Sequence, residues 1–247
     1  MKTAIRTFGM LVVLLLSGCV TINPPIRDPA TTGPGWYGVK PTDTLYSIAW
    51  RYGLDYKQLA QWNSIDVNAP IHPGQRLVLI DPQNRKSTNP PAFEPKENKS
   101  KENSKVQQQA ADTVISEPDD FNYSNPVAWI WPTEGKPLNS FSASKLDRRG
   151  IDIAGISGQQ VVAVANGKVV YSGNGLAGYG NLIIIKHSET YLSAYAYCQE
   201  RLVQEGAEVT AGKVIAKMGQ RDNRAQLHFE IRKNGKPVDP LKYLPKD

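Results

Sequence analysis

The chain has 247 residues, two of them cysteine, and a formal charge of +6 at pH 7. That length accommodates one large core, or two smaller ones with a linker between them, and so mild a basic balance falls short of a nucleic-acid footprint, so no nucleic-acid partner is expected. Lys2 and Arg6 account for two of the positive charges; the remainder suits an anionic surface such as a membrane or cell-wall polymer, or solubility alone.

At the N-terminus Lys2 and Arg6 make a positive start, Met10 to Leu16 form a short apolar run, and Ser17-Gly18 place small residues before Cys19. This order is that of a secretion signal over residues 1–18, too short to be a spanning helix. Leu16-Ser17-Gly18-Cys19 resembles the lipobox of bacterial lipoproteins, which implies that Cys19 is lipidated and becomes the mature N-terminus. In lipoproteins an Asp after that cysteine favours the inner membrane. Val20 stands there instead, so the resemblance implies a lipid anchor in the outer membrane, facing the periplasm. Cys198 is then the remaining cysteine and no intramolecular disulfide can form, so both domains are expected to stand on their own cores.

Residues 19–35 are Pro- and Thr-rich with few apolar side chains and read as a tether. In residues 36–81 the pattern changes. Tyr37 and Val39 predict a short strand, while Leu45, Ile48, Ala49 and Tyr52 recur at helical spacing up to Gly53. Tyr56, Leu59, Ala60 and Asn63 predict a second helix, and the Pro73-Gly74 turn leads into a strand through Leu77, Val78 and Leu79. The result is a small α+β domain of order βααβ.

Three stretches of that domain, Val39 to Ala49, Leu59 to Asn63 and Ile71 to Leu77, resemble the LysM domain in order and spacing. One departure is Thr42, where the family usually has Gly before the Asp. Either Asp43 or Thr44 can cap the first helix. The resemblance implies binding to N-acetylglucosamine-containing polymers, with peptidoglycan as the ligand and a glycan-binding groove formed by Asp43, Thr44, Leu45 and Ile71.

Residues 82–125 turn to Asn, Lys, Glu, Gln, Ser and Pro without a sustained apolar period and are expected to be a disordered linker. As a flexible coil it would span roughly 35–40 Å, letting the flanking domains meet separate targets. Residues 126–247 are rich in short apolar runs, such as Leu182-Ile183-Ile184-Ile185 and Leu227-His228-Phe229-Glu230-Ile231, broken by Gly and Asn turns. A mainly β domain with an antiparallel sheet is predicted.

Gly150 to Ala154, Gly178 to His187, Ala194-Tyr195-Ala196, Leu227 to Ile231 and Asn234 to Pro240 resemble the LytM, or M23 peptidase, domain. Active members of that family cut peptidoglycan peptides with zinc, using His-x-Gly-x-Asp and His-x-His motifs. Position by position, the first zinc histidine falls on Arg148 and the Asp ligand on Asp152. The catalytic histidine of His-x-His falls on Gln226, the ligand histidine on His228, and the remaining catalytic histidine on Tyr197. A catalytic zinc needs three protein ligands and an open position, and two remain. Arg148 would also bring a fixed positive charge to where the cation should sit. Neither an amide nor a phenol suits proton abstraction near neutral pH. No metal, no cofactor and no catalytic residue are therefore expected. His72 and His187 read as lone surface or turn histidines, and Cys198 as a small buried hydrophobe.

The combination of lipobox, LysM domain, linker and zinc-less LytM domain resembles the family of division-associated lipoproteins that activate murein hydrolases. It implies that the chain switches on a periplasmic N-acetylmuramoyl-L-alanine amidase during septal wall splitting. The partner-binding groove would then be formed by Arg148, Arg149, Asp152, Tyr197, Gln226 and His228, the two arginines facing an acidic partner. A structural tether between membrane and peptidoglycan, or an active zinc endopeptidase, are the alternatives.

Overall fold

A computed structural model describes residues 35–84, 127–144 and 148–246 of the chain. The expected signal, Cys19, the tether and almost all of the expected linker lie outside the described residues. Among the described residues no helix is long and apolar enough to cross a membrane.

The small domain is βααβ. Strand β1 (Trp36–Gly38) pairs antiparallel with β2 (Arg76–Val78), with Trp36 opposite Val78. Helix α1 (Leu45–Tyr52) begins at Thr44, whose side chain accepts from Ser47 N while the Ser47 side chain accepts from Thr44 N, and it ends at Gly53 with φ 65°. Asp55 caps α2 (Tyr56–Trp62) by accepting from Lys57 N and Gln58 N. The amide of Asn63 ties that helix to β2, donating to Leu59 O and Val78 O and accepting from Val78 N. Thr42 holds the left-handed conformation that Gly would take at no cost, with φ 73°.

The large domain is built around β7 (Tyr191–Arg201), flanked by β6 (Asn181–Lys186) and β11 (Arg224–Lys233) in antiparallel register. Strand β5 (Gly167–Gly173) pairs with β6, and β3 (Ile151–Ala154) pairs with β11. Strands β4 (Gln160–Val162) and β9 (Val214–Met218) pair with each other, and β9 also pairs with β7. Short strands β8 (Glu208–Val209), β10 (Gln220–Arg221) and β12 (Lys236–Val238) complete the sheet. The apolar runs Leu182–Ile185 and Leu227–Ile231 fall on β6 and β11.

The two faces of β6 explain the unbroken run Leu182-Ile183-Ile184-Ile185. Ile183 and Ile185 pack with Val169, Tyr195 and Phe229 on one face of the sheet. Leu182 and Ile184 point the other way and join a core with Val170, Tyr171, Tyr179 and Ala194 of the large domain and Leu45, Ile48, Trp50 and Leu59 of the small one. The expectation of independent cores is therefore corrected: the small domain covers one face of the large domain's sheet, and apolar side chains from both are buried together. So is the expectation of two domains ranging separately. Closing a coil of the predicted linker length costs about 3–4 kcal/mol. Burying two side chains the size of Leu182 and Ile184, each worth about 1.5–3 kcal/mol, offsets it.

Polar contacts fix the docked orientation. Thr44 Oγ1 donates to Val170 O at 3.2 Å, Arg51 Nη2 donates to Gly175 O at 3.2 Å, and Lys57 pairs with Glu189 at 2.6 Å.

Candidate functional site

The alternation of β11 places His228, Glu230 and Arg232 in one row, opposite Ala196, Ala194 and Leu192 of β7 and on the face the small domain covers. On the other side of β11, β3 brings Asp152 opposite His228. Gly150 precedes β3 for a steric reason: a Cβ there would lie 2.1 Å from the carbonyl oxygen of Phe229.

Asp152 and His228 are bonded directly, Nδ1 to Oδ1 at 2.6 Å. The other ring nitrogen of His228 faces Glu230 Oε1 at 3.2 Å. Glu230 in turn takes a forked pair from Arg232, with Nε at 3.1 Å and Nη2 at 3.0 Å, and a hydrogen bond from the Tyr179 hydroxyl at 2.8 Å. The second oxygen of Asp152 accepts from the Asn139 amide at 2.6 Å, and Asn139 Oδ1 accepts from Asp152 N at 2.9 Å. Burial works against charge on His228, but its hydrogen bonds to Asp152 and Glu230 and the charges of both outweigh that effect, raising its pKa to about 9. Glu230 is also opposed by burial, yet the Arg232 charge and then the His228 contact bring it down to about 2. Near neutral pH His228 is thus held protonated against an ionised Glu230, each stabilising the charge on the other.

This donor set does not fit a zinc ion. The two retained ligand types are spent on each other, with a protonated imidazole where a neutral one would be needed. No group of three or more His, Cys, Asp or Glu arranged to hold a metal occurs among the described residues.

The remaining expected groove residues surround this row unevenly. Tyr197 sits with its ring 5.9 Å from that of His228 and beneath the Arg221 guanidinium, 5.1 Å from the ring centroid. It holds φ 60° in β7 and burial pushes its phenol up to about 12. Gln226 is buried opposite Ala154 on β3. Arg148 is half-buried, its Nη2 3.5 Å from Ser140 Oγ, and Arg149 is half-buried near Gly53 of the small domain. Asn139, Tyr179, Glu230, Arg232 and Arg221 belong to the site and were not anticipated. The period-two row His228, Glu230, Arg232 was the available signal. A cavity of about 750 Å3 beside Trp131, Gln159 and Val162 is lined by none of the expected residues.

Two further residues behave differently from one another. Cys198 is buried in the core, with its thiol pushed up to about 12 by burial, as expected of a small hydrophobe. His187 is a correction: it is 1 % exposed, held between Asn166 O at 2.8 Å and Ser193 Oγ at 2.7 Å, and burial lowers its pKa to about 4. It is a satisfied core histidine, whereas His72 is exposed.

In the small domain the structure brings all four expected glycan residues, Asp43, Thr44, Leu45 and Ile71, to one cleft of about 400 Å3. Asp43 is spoken for: its carboxylate accepts from the Tyr37 hydroxyl at 2.7 Å and Lys40 N at 2.9 Å, and pairs with Arg51 at 3.3 Å. It shapes the loop.

The model of peptidase family M23 matches residues 147–240, and that of the LysM domain matches residues 37–79. The murein hydrolase activator NlpD of Salmonella dublin is 40% identical over 260 aligned residues, covering 87% of this chain and 69% of that protein. The chain belongs to the NlpD family. The lipoprotein NlpD/LppB homolog of Pseudomonas aeruginosa is 42% identical across 89% of this chain and 80% of its own length. The lipoprotein YgeR of Escherichia coli, named as uncharacterized, is 39% identical across 94% of this chain and 89% of its own length. Two of these NlpD-family relatives are thus named as lipoproteins and the first as an activator of murein hydrolases.

Proposed function

We propose that this chain is a lipoprotein anchored through Cys19 in the outer membrane, facing the periplasm, which holds peptidoglycan with its small domain and activates a periplasmic N-acetylmuramoyl-L-alanine amidase with its large one. The observation that carries the reading is the direct Asp152–His228 bond within a buried row of polar side chains. It supports the reading of an M23 fold whose two retained ligand types are engaged with each other, where a catalytic zinc needs three protein ligands and an open position. The name of the Salmonella dublin relative supports activation in place of hydrolysis.

The surface beside that row, with the partly exposed Arg148, Arg149, Tyr197 and Arg221 over the buried Gln226, is the docking site for the amidase. Guanidinium groups there pair with carboxylates of the partner. Activation follows when this surface binds one conformation of the amidase better than another, since only differential affinity shifts a population. Dye release from labelled peptidoglycan by a purified amidase, with and without the chain, tests the proposal. Stimulation of the amidase by a chain that releases nothing alone supports it, and digestion by the chain alone overturns it.

A further inference from the structure

The cleft at Leu45 is not a property of the small domain alone. Thr44, Leu45 and Ile71 form one side, while Lys168 and Val170 of β5 and Glu205 in the turn after β7 form the other. The two sides are held at a fixed separation by the Thr44 to Val170 hydrogen bond and by the Arg51 and Lys57 contacts across the same interface. The enclosed volume, about 400 Å3, is in the range of clefts that hold small ligands. Apolar Leu45, Ile71 and Val170 line it together with Lys168 and Glu205 of the large domain and Asp43 of the small one. That mixture suits an amino sugar, whose C–H face packs on apolar side chains while its hydroxyl and acetamido groups donate to a carboxylate and accept from an ammonium.

We propose that the large domain supplies half of the glycan site, with Lys168 and Glu205 hydrogen-bonding an N-acetylhexosamine that the small domain holds at Leu45 and Ile71. The proposal rests on the reading of the small domain as a glycan binder. Its consequence is reciprocal: glycan affinity depends on the docked arrangement of the domains, and a bound glycan stabilises that arrangement. Occupancy of the wall is thereby linked to the face of the sheet that carries His228, Glu230 and Arg232.

Calorimetric titration of the full chain in detergent with the N-acetylglucosamine tetramer tests this. Hydrogen bonds to charged groups are worth enough that Lys168→Ala and Glu205→Ala are each expected to weaken binding about tenfold, alongside a loss in Ile71→Ala. Glu205 is exposed, so Glu205→Gln serves as the folded variant should Lys168→Ala unfold, and it is expected to weaken binding severalfold. Binding that falls in Ile71→Ala but is unchanged in the Lys168 and Glu205 variants overturns the shared site while leaving glycan recognition by the small domain intact. No binding by the unaltered chain overturns both.

Discussion

The Arg232 guanidinium lies 3.6 Å from the centroid of the Trp50 ring and donates from Nη1 to the Trp50 carbonyl oxygen at 2.7 Å, joining the two domains across 182 positions of sequence. The same side chain neutralises Glu230, so one residue serves both the domain interface and the buried charge row. Removing it leaves Oε2 of a fully buried carboxylate without its forked partner, with only the His228 and Tyr179 contacts to Oε1 remaining. Arg232→Ala is expected to cost about 3–5 kcal/mol in denaturant unfolding of the full chain. Arg232→Lys keeps a charge but loses the forked pair and the flat stacking surface, so it should fall between the two. A loss below about 1 kcal/mol for Arg232→Ala, the range of ordinary surface changes, would contradict this role.

Zinc is expected to leave the unfolding midpoint unchanged, as is a chelator. A ligand that binds only the folded state at a hundred times its dissociation constant adds about 2.7 kcal/mol, so binding at Asp152 and His228 would be easy to see. A midpoint that climbs and saturates with zinc would show that the Asp152–His228 bond opens to admit the ion.

Stability should peak near pH 6.5, because two buried histidines shift in opposite directions from that value. His187 has a folded pKa lowered to about 4. As pH falls from 6.5 the unfolded chain takes up a proton that the native state refuses, and roughly 3 kcal/mol is lost across the window. The folded pKa of His228 is raised to about 9. The stability its proton contributes is complete below 6.5 and is lost as pH rises through 9. Glu230, lowered to about 2, adds a further loss as pH falls below 4.5. Denaturation curves from pH 4 to 9 check this: His187→Gln should flatten the acid limb and His228→Gln the alkaline one. A stability that slopes one way throughout would refute the assignment.

Thr42→Gly is expected to stabilise the chain by about 0.5–1 kcal/mol. The left-handed backbone at φ 73° is strained for a β-branched residue, and the relief exceeds the entropy that Gly adds to the unfolded chain. Thermal unfolding measures it, and a lowered midpoint would mean that the Thr42 side chain, which lies against Gly175, holds the domains together more than it strains the turn.

Both domains were legible in the sequence because their signals are local. Thr44, Gly53 and Asp55 mark helix ends through hydrogen bonds to neighbours a few residues away, and the apolar runs of the large domain are strands bounded by turns. The docking of the domains was not legible, because Trp50 and Arg232 meet only in three dimensions. A trace of it was present: four consecutive apolar residues from Leu182 to Ile185 require cover on both faces of the sheet, but nothing local names the cover. The pair Asp152 and His228 was readable position by position, and the structure brings the two together. Their further partners were not, since Asn139 and Glu230 enter through contacts with Asp152 and His228 across the fold. His187 misled for a related reason: its partners, Asn166 O and Ser193 Oγ, lie on other strands or their turns.

The central claim is that the former peptidase surface acts by binding. The most direct measurement is amidase-dependent dye release from labelled peptidoglycan, comparing the unaltered chain with Arg148→Ala and Tyr197→Ala variants of matched unfolding midpoint. The account predicts that stimulation falls at least about tenfold in each, as expected when a central interface residue worth more than about 1.4 kcal/mol is removed, with no release by any form of the chain alone. Full stimulation by both variants would contradict it and place activation elsewhere on the molecule.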